Sequence, residues 1–84
     1  MNFDEVWCRI VANEGEEFRQ KRGNPFRYSI HGSVVRPDRT RRDLARSQFA
    51  QAWERCPIQG PGELQDLQGP SYLYATLTDA RICG

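Results

Sequence analysis

The hydrophobic residues of this chain change their spacing after residue 13. Over residues 2–13 the apolar side chains recur at the i, i+3, i+4, i+7 spacing of one helical face: Phe3, Val6, Trp7, Ile10 and Val11. Over residues 26–31 apolar and polar side chains alternate: Phe26, Tyr28 and Ile30 against Arg27, Ser29 and His31. Alternation is typical of a strand with one buried face. The chain is therefore expected to combine helices with strands.

Two turns divide the strand region. The Gly23-Asn24-Pro25 segment separates a predicted strand over residues 17–22 from the strand that contains Phe26. The second turn is predicted at His31-Gly32 or at Gly32-Ser33, because both pairs suit a tight β-hairpin. In either register the next strand directs Val35 inward. The three strands are expected to form one antiparallel sheet from two hairpins.

The residues after the sheet predict further helices. A helix that began at residue 41 would bring two arginines onto its apolar face, so residues 37–46 are interpreted as an extended or looped segment anchored by Leu44. A helix capped by Ser47 and ending near residue 56 follows. One or two helical turns are expected within residues 60–70, and a final helix is expected to be capped by Ser71.

The predicted fold class is α+β: a helix, a three-stranded antiparallel sheet, and two or three short helices packed on one sheet face. A chain of 84 residues is expected to form a single compact domain over residues 1–84. The sequence contains no apolar run of the roughly 20 residues that span a membrane. The MNFDEVW start lacks the features of a secretory signal, so a cytoplasmic location is expected.

The sequence predicts no metal site and no cofactor. The three cysteines, Cys8, Cys56 and Cys83, are far apart, and His31 is the only histidine. Structural zinc sites usually draw ligands from close pairs. Cys8 and Cys56 are instead expected to be buried free thiols on predicted helices.

Basic residues are concentrated in the middle of the chain. Residues 18–46 contain nine of the twelve basic side chains and only two acids, a net formal charge of +7, and the other residues carry −6. All but one of the basic residues are arginines, which bind phosphates and carboxylates through a planar fork of donors. This separation of charge is the strongest indication of function in the sequence.

The candidate nucleic-acid-binding residues fall into two groups. One group is predicted on the open face of the sheet: Arg19, Lys21, Arg27, His31 and Arg36. The other belongs to the loop and the helix start: Arg39, Arg41, Arg42 and Arg46. Turning at His31-Gly32 would place Arg27 directly opposite Arg36, where like charges repel and an anion would be favourable. Phosphates of DNA or RNA are the predicted partner, because cationic side chains displace their counterions.

Several alternatives remain open at this stage. The basic surface could be solvated and balanced by the acidic helices, or it could bind an acidic protein partner. A homodimer through an apolar patch and a phosphate-binding site for a small molecule are further possibilities, and the oligomeric state is left open. A metal-free ribonuclease would need His31 as its general acid or base. The chain contains no GxxxxGK[ST], GxGxxG or GxSxG motif, so a non-catalytic binding module is favoured over an enzyme.

Overall fold

A computed structural model describes residues 1–84 and confirms the α+β fold class. The α-helices are α1 (Phe3–Ala12), α2 (Arg46–Glu54), α3 (Pro70–Leu77) and α4 (Ala80–Cys83), and a 3₁₀ helix covers Pro61–Leu64. The strands are β1 (Phe18–Arg19), β2 (Pro25–Phe26), β3 (Tyr28–His31), β4 (Val34–Pro37) and β5 (Leu44–Ala45). None of the helices combines the length and the apolar character that crossing a membrane requires.

The strands form two antiparallel sheets rather than one continuous sheet. β1 pairs only with β2 in a two-stranded ribbon, whereas β3, β4 and β5 form the three-stranded sheet. The third strand of that sheet thus comes from the end of residues 37–46, which the sequence predicts as an extended or looped segment. The strand predicted over residues 17–22 is only two residues long, because the chain already turns at residues 20–23. There Gly23 N–H donates to the Gln20 carbonyl oxygen at 2.8 Å.

The β3–β4 hairpin uses the second of its two predicted turns, Gly32-Ser33. Gly32 has a φ of 62°, which glycine adopts without the steric penalty of a side chain. In this register Ser29, not Arg27, lies directly opposite Arg36. The like-charge pair that the other turn would have created is therefore absent.

A cluster of 16 buried apolar residues connects the helices to both sheets. Leu44 is completely buried in it, as predicted, and contacts the backbone at Gly69. A Cβ atom at residue 69 would lie 2.8 Å from Leu44 Cδ2, so any other residue at this position would require the Leu44 side chain to shift. Leu44 consequently anchors β5 and the C-terminal end of the segment that precedes it.

α1 matches the predicted amphipathic helix. The Asn2 side chain caps it by accepting a hydrogen bond from Glu5 N–H at 2.9 Å. Val6 and Ile10 are completely buried, whereas Cys8, which was expected to be buried, is exposed. Cys8 lies two residues from each of them, a rotation of about 200° around the helix, and so it points away from the core.

The predicted caps of α2 and α3 are wrong. α2 begins one residue before Ser47, with Ala45 at the N-cap, and α3 begins one residue before Ser71, with Gly69 at the N-cap. Neither N-cap residue supplies a side-chain hydrogen bond. The chain direction at α2 is determined by the sheet, because β5 continues straight into the helix. Arg46 therefore becomes the first residue of α2.

Candidate nucleic-acid interface

The nine predicted site residues lie in three places. Arg19 and Lys21 belong to the β1–β2 ribbon and its turn, so their predicted position on the open face of the larger sheet is wrong. Residues 38–43 connect β4 to β5 and are named the basic loop, because they contain Arg39, Arg41 and Arg42. The remaining four lie on or beside the three-stranded sheet: Arg27, His31, Arg36 and Arg46.

The two basic residues of the ribbon contact other parts of the protein. Arg19 forms an ion pair with Glu17 at 3.2 Å and donates to the Gly23 carbonyl oxygen at 3.1 Å. Lys21 Nζ donates to the Gln59 carbonyl oxygen at 3.0 Å and lies 5.8 Å from the centre of the Tyr74 ring. Lys21 thus links the turn of the ribbon to the segment before the 3₁₀ helix.

Arg27 and Arg36 are exposed, but both have partners. Arg27 Nη1 donates to the Gly15 carbonyl oxygen at 2.6 Å. Arg36 forms two hydrogen bonds with the Asp43 carboxylate, at 2.8 and 3.1 Å. The hydrogen bond from Arg36 holds the pKa of Asp43 below its usual value. This ion pair connects β4 to the end of the basic loop and neutralises the charge of Arg36.

Arg46 is directed towards α1, and its side chain remains 40% exposed. Its Nη2 atom lies 2.5 Å from Asp4 Oδ1, and its guanidinium carbon is 5.5 Å from the ring centres of both Phe3 and Trp7. A cation above aromatic faces is attracted by their negative electrostatic potential. Arg46 therefore stabilises the contact between α1 and α2, so this candidate nucleic-acid-binding residue is already engaged within the protein.

The arginines of the basic loop have no such partners. Arg39, Arg41 and Arg42 are all exposed, and their guanidinium groups make no hydrogen bond or ion pair within the protein. The loop backbone is nevertheless ordered by local hydrogen bonds: Arg42 N–H donates to Thr40 Oγ1 at 3.2 Å, and Asp38 N–H donates to the Arg27 carbonyl oxygen at 2.8 Å. The loop thus presents three available cations on a defined backbone.

A groove of about 440 Å³ lies between the basic loop and the start of the β3–β4 hairpin. Arg27 and Arg36 line it together with Asp38 and Thr40 of the loop. The Asp38 carboxylate accepts a hydrogen bond from Arg27 N–H at 3.0 Å, so part of its negative charge is directed into the fold. The groove therefore extends the basic surface from the loop towards the sheet.

His31 lies on β3 beside a second polar side chain. Its Nε2 atom and Ser29 Oγ are hydrogen-bonded at 2.9 Å, and both residues are at the surface of the sheet. A Ser–His pair acts as a nucleophile and base when a third group orients the imidazole. The only side-chain hydrogen bond of the His31 ring is the one with Ser29, and the Asp43 carboxylate pairs with Arg36 instead. His31 consequently has no orienting carboxylate.

The aromatic residues of the strands belong to the core. Phe26 and Tyr28 are 2% and 3% exposed, which confirms the inward direction expected from their alternation. Tyr28 donates its hydroxyl to the Ile10 carbonyl oxygen at 2.6 Å, and burial raises the pKa of this hydroxyl. The basic loop itself contains no aromatic residue. Neither place provides a surface on which nucleic-acid bases could stack.

The cysteines do not form a metal centre. Cys8 and Cys83 are exposed, and Cys56 is only partly buried, so its predicted full burial is also wrong. No group of three or more histidine, cysteine, aspartate or glutamate side chains is arranged to hold a metal ion.

Arg22 is a residue that the sequence-based set omitted. It lies in the turn of the β1–β2 ribbon, is exposed, and has no intramolecular partner. The sequence already places Arg22 in the basic segment, directly after Lys21. Only the structure shows that Arg22 lies in an exposed turn, where its side chain is available to a ligand.

Comparisons with protein-family models, curated proteins and solved structures found no match to this chain.

Proposed function

We propose that this protein is a non-catalytic module that binds nucleic acid through its phosphate backbone, with the basic loop as the main contact surface. One observation carries the proposal: three unpartnered guanidinium groups lie within four consecutive residues. Seven of the other eight arginines donate to a carboxylate or a carbonyl oxygen of the protein. The basic loop is thus the place where arginines are concentrated and uncommitted.

An uncommitted arginine is suited to a phosphate for an energetic reason. Binding through Arg41 breaks no existing ion pair, whereas binding through Arg46 would require its separation from Asp4 and two aromatic rings. A guanidinium group also matches two phosphate oxygens at once. The binding free energy is favourable because counterions are released from the nucleic acid as its phosphates are neutralised.

Arg36 and Arg27 supply a weaker second set of contacts. The Arg36 side chain remains 49% exposed while it pairs with Asp43, and it faces the groove beside the basic loop. A phosphate in the groove would share Arg36 with Asp43, so its attraction would be partly offset. We expect the three loop arginines to account for most of the affinity.

The proposed binding does not read the base sequence. Contacts to phosphate position a protein on nucleic acid, and contacts to base edges are needed for specificity. The basic loop carries arginines, one threonine and two aspartates, and no aromatic side chain that could stack on a base. Affinity should therefore depend on salt concentration and change little between sequences of equal length.

The test is a titration of labelled duplex DNA, duplex RNA and single strands, followed by fluorescence anisotropy at several salt concentrations. Three phosphate contacts on duplex DNA predict a slope of about −2.7 for the logarithm of affinity against the logarithm of salt concentration. Replacing one loop arginine, Arg41→Ala, should reduce the magnitude of this slope by about 0.9. Absence of binding to every probe at low salt would refute the proposal.

Arg22→Ala is the matched control for Arg41→Ala. Both side chains are exposed and unpartnered, and both substitutions remove one positive charge. Equal losses of affinity would show that net charge matters and the basic loop does not. Polyglutamate as a competitor tests the alternative of an acidic protein partner, because stronger binding of polyglutamate than of duplex would favour that alternative.

A further inference from the structure

We infer that a second site, separate from the basic loop, binds a small phosphorylated ligand that also carries hydroxyl groups, the chemistry of a sugar phosphate. The site is a cleft of about 770 Å³ between the turn of the β1–β2 ribbon and the segment that runs from the 3₁₀ helix to the start of α3. It is named the polar cleft, and it is lined by Gln20, Lys21, Arg22, Asn24, Pro61, Gln65 and Ser71. This inference does not rest on the proposed function.

The charge of the polar cleft favours an anion. Lys21 and Arg22 both line it, and no carboxylate is among the lining residues. Arg22 has no partner in the protein, and Lys21 donates one of its three N–H bonds to the Gln59 carbonyl oxygen at 3.0 Å. A phosphate group would meet two cations with free donors, without displacing an acidic side chain.

The other polar groups of the cleft indicate that the ligand is more than a bare phosphate. The side-chain amides of Gln20, Asn24 and Gln65 line the cleft and make no hydrogen bond within the protein. Each amide offers a carbonyl oxygen that accepts as well as an NH₂ group that donates. A fully ionised phosphate supplies acceptors only, whereas the hydroxyl groups of a sugar supply both.

The size and the backbone of the polar cleft agree with this class of ligand. Sites for small molecules usually have volumes of about 300–1,000 Å³, a range that includes this cleft. Its ribbon side is held by two backbone hydrogen bonds, from Gln20 N–H to the Asn24 carbonyl oxygen at 2.9 Å and from Gly23 N–H to the Gln20 carbonyl oxygen at 2.8 Å. A turn fixed before binding reduces the entropy lost when the ligand is held.

The experiment is an NMR titration of the ¹⁵N-labelled protein with ribose 5-phosphate, inorganic phosphate and ribose, each at constant ionic strength. Saturable shifts are expected at the backbone amides of residues 20–24, 65 and 71. Ribose 5-phosphate should bind about tenfold more tightly than inorganic phosphate, the effect of one additional well-made polar interaction. Absence of saturation, or the same shifts with sodium chloride, would overturn the inference.

Two substitutions separate the phosphate part of the site from the hydroxyl part. Arg22→Gln should weaken the binding of both phosphate-containing ligands by about tenfold, because it removes a charged hydrogen-bond donor. Gln65→Leu should weaken ribose 5-phosphate and leave inorganic phosphate unchanged. Equal weakening of both by Gln65→Leu would overturn the sugar assignment.

Arg41→Gln provides the control in the basic loop. It should leave the titration with ribose 5-phosphate unchanged, since its side chain does not line the polar cleft. A loss equal to that of Arg22→Gln would reveal a general charge effect and overturn the site. In a separate experiment, titration of Arg22→Gln with duplex DNA measures binding by the basic loop. The proposals for the basic loop and for the polar cleft are therefore tested independently, and either can be refuted alone.

Discussion

Arg41 and Arg46 belong to the same basic run of the sequence, but the fold uses them in opposite ways. Arg46 contacts Asp4 and lies above the rings of Phe3 and Trp7. Arg41 is exposed in the basic loop and has no partner. Five residues of separation therefore distinguish an arginine that stabilises the fold from one that is available to a ligand. A count of charges along the chain cannot distinguish these roles.

The same contrast applies to arginines outside residues 18–46. Arg55 pairs with Asp66 through two hydrogen bonds of 2.6 and 2.7 Å. Arg81 pairs with Asp79, and its guanidinium carbon lies 4.0 Å from the centre of the Phe18 ring. The carboxylates of Asp66 and Asp79 are thus each neutralised by an arginine that contacts them. The guanidinium groups of Arg39, Arg41 and Arg42, in contrast, form an ion pair with none of the acidic side chains, including the two aspartates of the basic loop.

The largest expected effect comes from removing the anchor of the basic loop. Leu44→Ala should lower the free energy of unfolding by about 3 kcal/mol, because Leu44 is completely buried and its truncation leaves a cavity against Gly69. Urea denaturation measures this change. Leu44→Met, which conserves volume, should cost less than about 1.5 kcal/mol. Similar losses for both variants would show that volume at this position is unimportant.

Arg46→Ala and Arg41→Ala compare the two roles directly. Arg46→Ala should lower the free energy of unfolding by about 1 kcal/mol, since the side chain is 40% exposed and its ion pair and ring contacts are screened by solvent. Arg41→Ala should change it by less than about 0.5 kcal/mol. The order should be reversed for duplex binding, with the greater loss in Arg41→Ala. Identical profiles for the two variants would contradict the comparison.

Asp43→Asn should convert a paired arginine into an available one. The substitution removes a negative charge beside the basic loop and replaces one of the two oxygens that accept from Arg36 with an NH₂ group, which cannot accept. We expect duplex affinity at low salt to rise by about threefold, with a steeper dependence on salt. Anisotropy titrations measure both quantities. Weaker binding would indicate that Asp43 is needed to position the loop.

Asp66→Asn should have the smallest effect, and that effect should depend on pH. The hydrogen bond from Arg55 lowers the pKa of Asp66 to about 2. Because the folded state holds this carboxylate ionised, its contribution to stability is present above the usual aspartate pKa near 4 and is lost as the pH falls towards 2. The wild type should be more stable than the variant at pH 7, and the difference should decrease below about pH 4 and be lost as the pH falls through about 2. A difference that is constant with pH would contradict this origin.

Local sequence patterns predicted the elements whose contacts are close in the chain. α1 follows from one apolar stripe and the Asn2 cap, and the β3–β4 hairpin follows from alternation around Gly32. The pairing of β5 could not be predicted in this way, because two residues are too short to show a period. Its position results from the burial of Leu44 against a distant glycine.

The sequence by itself determined the fold class and the concentration of positive charge in residues 18–46, because composition and short-range periodicity are properties of the chain. Only the tertiary structure decided which of those charges are available. The partner of Arg46 is 42 residues away, and the partner of Lys21 is 38 residues away, at distances along the chain where no spacing rule applies. Folding brings these groups together through packing of the core. It leaves Arg22 and the three arginines of the basic loop without partners.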